Sequence, residues 1–213
     1  MKNGAWRWLL FIGLALTFLG AAVVLRNLRN GPAPAFPPSG GLATATLVND
    51  AEPLPGFSFA RVGSPLTNAD LMGHWTLMFF GYTYCPDICP TSLATAKEMQ
   101  DQLRSKGLTP PEVIFVSVDS ARDTPERLQT FVGFFDPAFV GATGSDDALA
   151  PLVKNLGVHY QRVNGPDPDH YSIDHSAVIY LIDPHGRLKA IFSWPHDPAA
   201  MATDYPKIIA TDG

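Results

Sequence analysis

Phe79-Phe80-Gly81-Tyr82-Thr83-Tyr84-Cys85-Pro86-Asp87-Ile88-Cys89-Pro90 holds both cysteines of a 213-residue chain. Upstream, Thr76 to Phe80 reads as a buried strand. Downstream, Thr91 to about Lys106 reads as a helix, with Leu93, Ala96 and Leu103 inward and Gly107 as its stop. Both sulfurs therefore fall on a strand-to-helix turn. Pro90 suits the first helical position, where a missing N–H has no partner to lose. Cys89, preceding a proline, is directed to the N-cap. The positive end of the helix then faces both sulfurs and favours thiolate over thiol. Two thiolates in one turn can form a disulfide or grip a soft metal ion. A purely structural disulfide would close too short a loop to constrain much chain entropy.

Outward from this turn the elements alternate. Leu54 to Val62 forms an opening hairpin or irregular strand. Val113 to Val118 is a continuous apolar run, the mark of a strand covered on both faces. Thr124 and Pro125 cap a helix in which Leu128, Phe131, Val132 and Phe135 recur at helical spacing. Ser145 caps a third helix with Leu149, Leu152, Val153 and Leu156 inward, Gly157 as its stop and a kink expected at Pro151. A short strand at Val158–Val163 leads to a Gly/Pro/Asp loop over 164–169. Strands at Ala177–Ile182 and Leu188–Trp194 are joined by the turn Asp183-Pro184-His185-Gly186. A last helix lies between Pro198 and Ile209, interrupted near Pro206. Met72, Met78 and Met99 read as core fillers. This order predicts an α/β fold: a thioredoxin-like mixed sheet flanked by helices, with the cysteines beyond the carboxyl end of a strand.

The net charge of -5 and the lack of a long Lys/Arg run argue against a nucleic-acid partner. Two cysteines are too few for a disulfide framework or a four-cysteine zinc site. Residues 8–25 form an uncharged apolar run long enough to cross a bilayer, after a basic stub at 1–7. No small-x-small cleavage site and no lipoprotein cysteine follow it, so an uncleaved anchor is expected. Residues 26–42 form a Pro/Gly-rich linker, and 43–213 the globular domain. A single-pass protein of a bacterial inner membrane, its domain in the periplasm, is the simplest account.

Two thiolates commonly need a third ligand. His175, between the 164–169 loop and the next strand, is the first candidate. His170 is an alternative five residues earlier. His159 reads as core or surface, and His74, His185 and His196 as solvated turn residues. Phe80, Tyr82 and Tyr84 read as shields, and Asp119 and Asp123 as candidates to buttress the rim, with helix capping the preferred role for Asp123.

Phe80 to Thr91 resembles the defining segment of the Sco/SenC family, membrane-tethered copper proteins that assist cytochrome c oxidase assembly. Val116-Ser117-Val118-Asp119 with Arg122-Asp123-Thr124-Pro125 resembles that family's second segment. Tyr171 to Gly186 resembles its third, including Asp174-His175-Ser176. Ser120-Ala121 replace the more usual Pro-Glu, and Tyr84 stands where a histidine is also common. The resemblance implies a thioredoxin-like fold, copper held by Cys85, Cys89 and His175, and the binuclear copper site of cytochrome c oxidase subunit II as recipient. A copper donor protein is then required upstream. Thiolates select Cu(I), and an added oxygen ligand would accommodate Cu(II). The rival expectation is a thiol–disulfide oxidoreductase that uses Cys85 and Cys89 to reduce the recipient's cysteines. The CxxxC spacing, and Asp174-His175-Ser176 where such enzymes carry a cis-proline, lean against it.

Overall fold

The apolar run after Trp75 becomes the middle of a six-stranded sheet. A computed structural model describes residues 38–167 and 170–211. In chain order the elements are β1 (Ala45–Leu47), β2 (Ser58–Phe59), β3 (Leu66–Thr67), a 3-10 turn (Asn68–Leu71), β4 (Thr76–Gly81), α1 (Ile88–Ser105), β5 (Glu112–Ser117), α2 (Pro125–Gly133), β6 (Val140–Thr143), α3 (Asp146–Leu156), β7 (Tyr160–Asp167), β8 (His170–His175), β9 (Val178–Ile182), β10 (Leu188–Ser193) and α4 (Pro198–Ile209). The main sheet has the order β1-β10-β9-β4-β5-β6. β4, β5 and β6 are parallel; β9, β10 and β1 run antiparallel to their neighbours.

All of β4 is buried, because both faces of the sheet are covered. Leu77 and Phe79 face one layer with Leu93, Met99 and Leu103 of α1, Leu128 and Val132 of α2, and Met201 and Tyr205 of α4. Met78 and Phe80 alternate to the other face, among Leu149, Leu152 and Leu156 of α3 and Phe59 and Leu66 of the β2–β3 hairpin. The expected mixed sheet with helices on both faces is therefore present.

Several local readings change. β6 was not expected; it pairs with β5 at the edge. Residues expected to begin a loop at Asn164 instead continue β7, which pairs only with β8 as a separate two-stranded ribbon. Pro151 and Pro206 lie inside helices without interrupting them. Each removes one backbone donor, while the caps at Ser145 and Asp197 and the buried Leu152 and Tyr205 hold the helix around it. Met72 is half exposed rather than a core filler.

The start of the domain is clasped by its end. Asp204 of α4, wholly buried, accepts hydrogen bonds from the backbone N–H of Ala43, Thr44 and Ala45 at 2.8–3.1 Å. Leu47 donates to Ser39 Oγ, and Ser39 N–H to the Ala45 carbonyl. Among the described residues no helix is long and apolar enough to cross a membrane. The expected anchor at 8–25 lies outside the described residues.

Candidate metal centre

β4 ends at Gly81, and six residues of turn lead into α1. The helix starts at Ile88 with Asp87 as N-cap, so Cys89 and Pro90 occupy its first turn. The expected N-cap at Cys89 is thus corrected. First-turn N–H groups have no intrahelical partner, so Pro90 fits the third position as well as the first. The turn is held from below. Thr83 donates through N–H (2.9 Å) and Oγ1 (2.5 Å) to Asp123, which also accepts from Ser117 Oγ at 2.6 Å. Asp123 is fully buried and buttresses the cysteine turn; Thr124, not Asp123, caps α2.

Cys89 is fully buried, and Cys85 is partly exposed. The Cys89 N–H points to Cys85 Sγ at 3.5 Å. Gly81 backs this packing: a methyl group there would overlap Cys89 Sγ and lie 2.9 Å from Phe115 Cε2. His175 ends β8 and brings Nε2 to 3.3 Å from Cys89 Sγ. Its Nδ1–H donates to the Ser176 carbonyl at 3.2 Å, which leaves the Nε2 lone pair facing the sulfurs. Phe79 and Tyr82 meet the imidazole edge-on, each with centroids 5.9 Å away. The two Sγ atoms and the imidazole nitrogen lie within 4.8 Å of one another.

The two thiols are inequivalent. A hydrogen bond from the Cys89 thiol, with further ones from the N–H groups of Asp87 and Cys89, outweighs burial and holds Cys85 down to about 3. Burial, and then the Cys85 thiolate beside it, push Cys89 up. At neutral pH the pair is one thiolate and one thiol. A soft cation entering between them displaces a single proton.

The other readings sort by face. Phe80 lies on the opposite side of the sheet and Phe79 meets the histidine in its place; Tyr82 flanks the histidine as expected, while Tyr84 is 49% exposed. His170, at the start of β8, and His159 are exposed and join no metal-ligand group among the described residues. Asp119 accepts from Tyr171 Oη at 2.7 Å and from Arg122 Nε at 2.6 Å, so it does support the rim. Arg122 and Tyr171 stand in the sequence only as members of the two longer family-like segments, with no role assigned; only the folded ribbon brings them together.

His196 is not solvated. Its Nδ1 accepts from Ser92 Oγ of α1 (3.1 Å) and its Nε2 donates to the Phe192 carbonyl (3.3 Å). Burial lowers it from 6.5 to about 4. Between those values the unfolded chain carries a proton that the folded chain refuses. Its contribution is therefore full above pH 6.5 and is lost as the pH falls to 4. We expect the loss to reach about 3 kcal/mol. Urea unfolding at pH 4.5 and 7 should show a clearly smaller difference in His196→Gln than in wild type; equal differences would contradict this.

A profile of the SCO1/SenC family matches residues 53–210. The chain belongs to the SCO1/SenC family. Relatives in this family include the mitochondrial SCO1 homolog 1 of Arabidopsis thaliana, 34% identical over 135 residues, 63% of this chain and 40% of that protein. A putative copper-binding protein of Stutzerimonas stutzeri is 32% identical over 145 residues, 68% of this chain and 71% of that one. The chain thus spans less than half of the Arabidopsis relative. The crystal structure of Arabidopsis ScoI with copper bound superposes with a TM-score of 0.70 at 32% identity, over 75% of this chain and 99% of that one.

Proposed function

We propose that this SCO1/SenC protein carries copper as cargo, held by Cys85 Sγ, Cys89 Sγ and His175 Nε2. The observation that carries the reading is the convergence of these three donors, two soft and one borderline, within 4.8 Å. Two sulfurs and one imidazole suit three-coordinate Cu(I); an added oxygen ligand gives the tetragonal geometry of Cu(II). The copper-bound state of the Arabidopsis relative supports the choice of metal. Low coordination and the partly exposed Cys85 leave room for a recipient's thiolate to displace one donor at a time. The recipient we propose is the binuclear copper site of cytochrome c oxidase subunit II, with a copper donor protein upstream. The apolar run at 8–25 would anchor the domain on the periplasmic side of a bacterial inner membrane. Fractionation and protease protection of the full-length chain test that placement.

The test of the site is copper titration of full-length wild type and His175→Ala. We expect affinity in the variant to fall by more than the about 10–100-fold that loss of a residue merely orienting a ligand costs, with loss of the nitrogen donor from the spectrum. Unchanged affinity and spectrum would remove His175 from the site. The low-pKa Cys85 favours one second reading, in which its thiolate attacks a partner disulfide and Cys89 then resolves it. That exchange reduces the partner and leaves a Cys85–Cys89 disulfide. His175→Ala that loses copper yet still reduces the recipient's cysteines would support it.

A further inference from the structure

Resting on the copper reading above, we infer that Arg122 is the positioning residue for His175, latching the β7–β8 ribbon against the cysteine turn. The ribbon needs such a latch because neither strand joins the main sheet. Along β8 the side chains of Tyr171, Ile173 and His175 share the inner face, while Ser172 and Asp174 are exposed. Tyr171 and His175 are thus the two ends of one inward row, about 13 Å apart.

Arg122 grips the far end of that row. Its Nη1 donates to the Tyr171 carbonyl at 3.0 Å, and its guanidinium lies 3.4 Å from the centre of the Tyr171 ring. Its Nε donates to Asp119, which is buried and also accepts from Tyr171 Oη. Arg122, Asp119 and Tyr171 therefore close a ring of charge-assisted hydrogen bonds around one cation–π contact. The same guanidinium lies 4.6 Å from Tyr84 and 5.7 Å from Tyr82, both on the cysteine turn. Tyr82 in turn meets His175. Nη2 is buried with no hydrogen-bond partner, so its charge is met by the surrounding rings. One side chain thus touches both halves of the site: the turn that carries the sulfurs and the strand that carries the nitrogen.

The experiment has a metal-free arm and a copper arm, both on the full-length chain. Without metal, amide hydrogen exchange over residues 170–176 should quicken about tenfold or more in Arg122→Met, several-fold in Tyr171→Phe, and by an intermediate factor in Arg122→Lys. Exchange in β4 and α1 should be unchanged. Arg127→Met is the control, since Arg127 meets Tyr84 and Thr83 but no ribbon residue among those described. With copper, X-ray absorption of Arg122→Met should keep sulfur scattering and lose much of the imidazole contribution, partly restored in Arg122→Lys. Unchanged exchange over 170–176, or imidazole scattering equal to wild type, would overturn the latch. If Arg122→Met does not fold, Tyr171→Phe decides on the same readouts. If wild type takes up no copper, the proposed function fails, while the exchange arm still rules on the latch.

Discussion

Cys85→Ser is expected to abolish tight copper binding, lowering affinity by about a thousandfold or more. Loss of a residue that merely orients a ligand typically costs 10–100-fold, and this change removes a ligand itself. Serine offers a hard oxygen that stays protonated at neutral pH, whereas Cys85 is held as thiolate down to about pH 3. The neighbour suffers too, because the Cys89 thiol loses the acceptor it shares a proton with. X-ray absorption on wild type and variant checks the prediction directly: one sulfur and the imidazole should remain at best. Binding within tenfold of wild type would remove Cys85 from the site. The same low pKa has a visible consequence without metal. Alkylation of Cys85 should be nearly flat from about pH 5 to 8, because the thiolate fraction is already complete. Cys89, buried and held as thiol, should stay unmodified in the native protein.

Gly81→Ala should cost about 3 kcal/mol, the upper part of the range for overpacking a close-packed core. For a chain of this size that lowers Tm by about 6–12 °C. The added methyl meets Cys89 Sγ on one side and the Phe115 ring on the other, and Phe115 is fully buried. Neither neighbour is the free end of a flexible side chain. Cys89 sits in the first turn of α1, so moving its sulfur also moves it from His175 Nε2. Thermal unfolding gives the stability term, and copper affinity gives the geometric one. A Tm within a degree or two of wild type would show that the turn can shift without strain.

These two residues also mark what the sequence reveals and what it hides. β4 and α1 are legible because their signals are long: a continuous apolar run, then helical spacing with a glycine stop. The placement of both sulfurs on one strand-to-helix turn follows from that. β6 is hidden because Val140-Gly141-Ala142-Thr143 is four residues with two small side chains, too short for a period. Its backbone comes so near α2 that a methyl at Gly141 would lie 2.8 Å from Leu128 Cβ, and that closeness is tertiary. The β7–β8 ribbon is hidden for the opposite reason. Asn164-Gly165-Pro166-Asp167 carries every local mark of a turn, yet cross-strand pairing extends β7 through it. His175 could be picked out because it precedes an evident strand. For Asp123 the local signal beside Thr124-Pro125 favours a helix cap over a buttress, since its partner Thr83 lies 40 residues away in sequence.

The clasp between Asp204 and residues 43–45 has a mechanical side. β1 lies three strands from β4 in the sheet, so the entry point of the chain is about 14 Å from the strand that presents the sulfurs. A pull on the chain at Ser39 would load its bonds to Ala45 and Leu47, and then the three backbone donors on one carboxyl group of the last helix, before it reached β4. The thiol pair is thereby insulated from a load applied to the chain at Ser39.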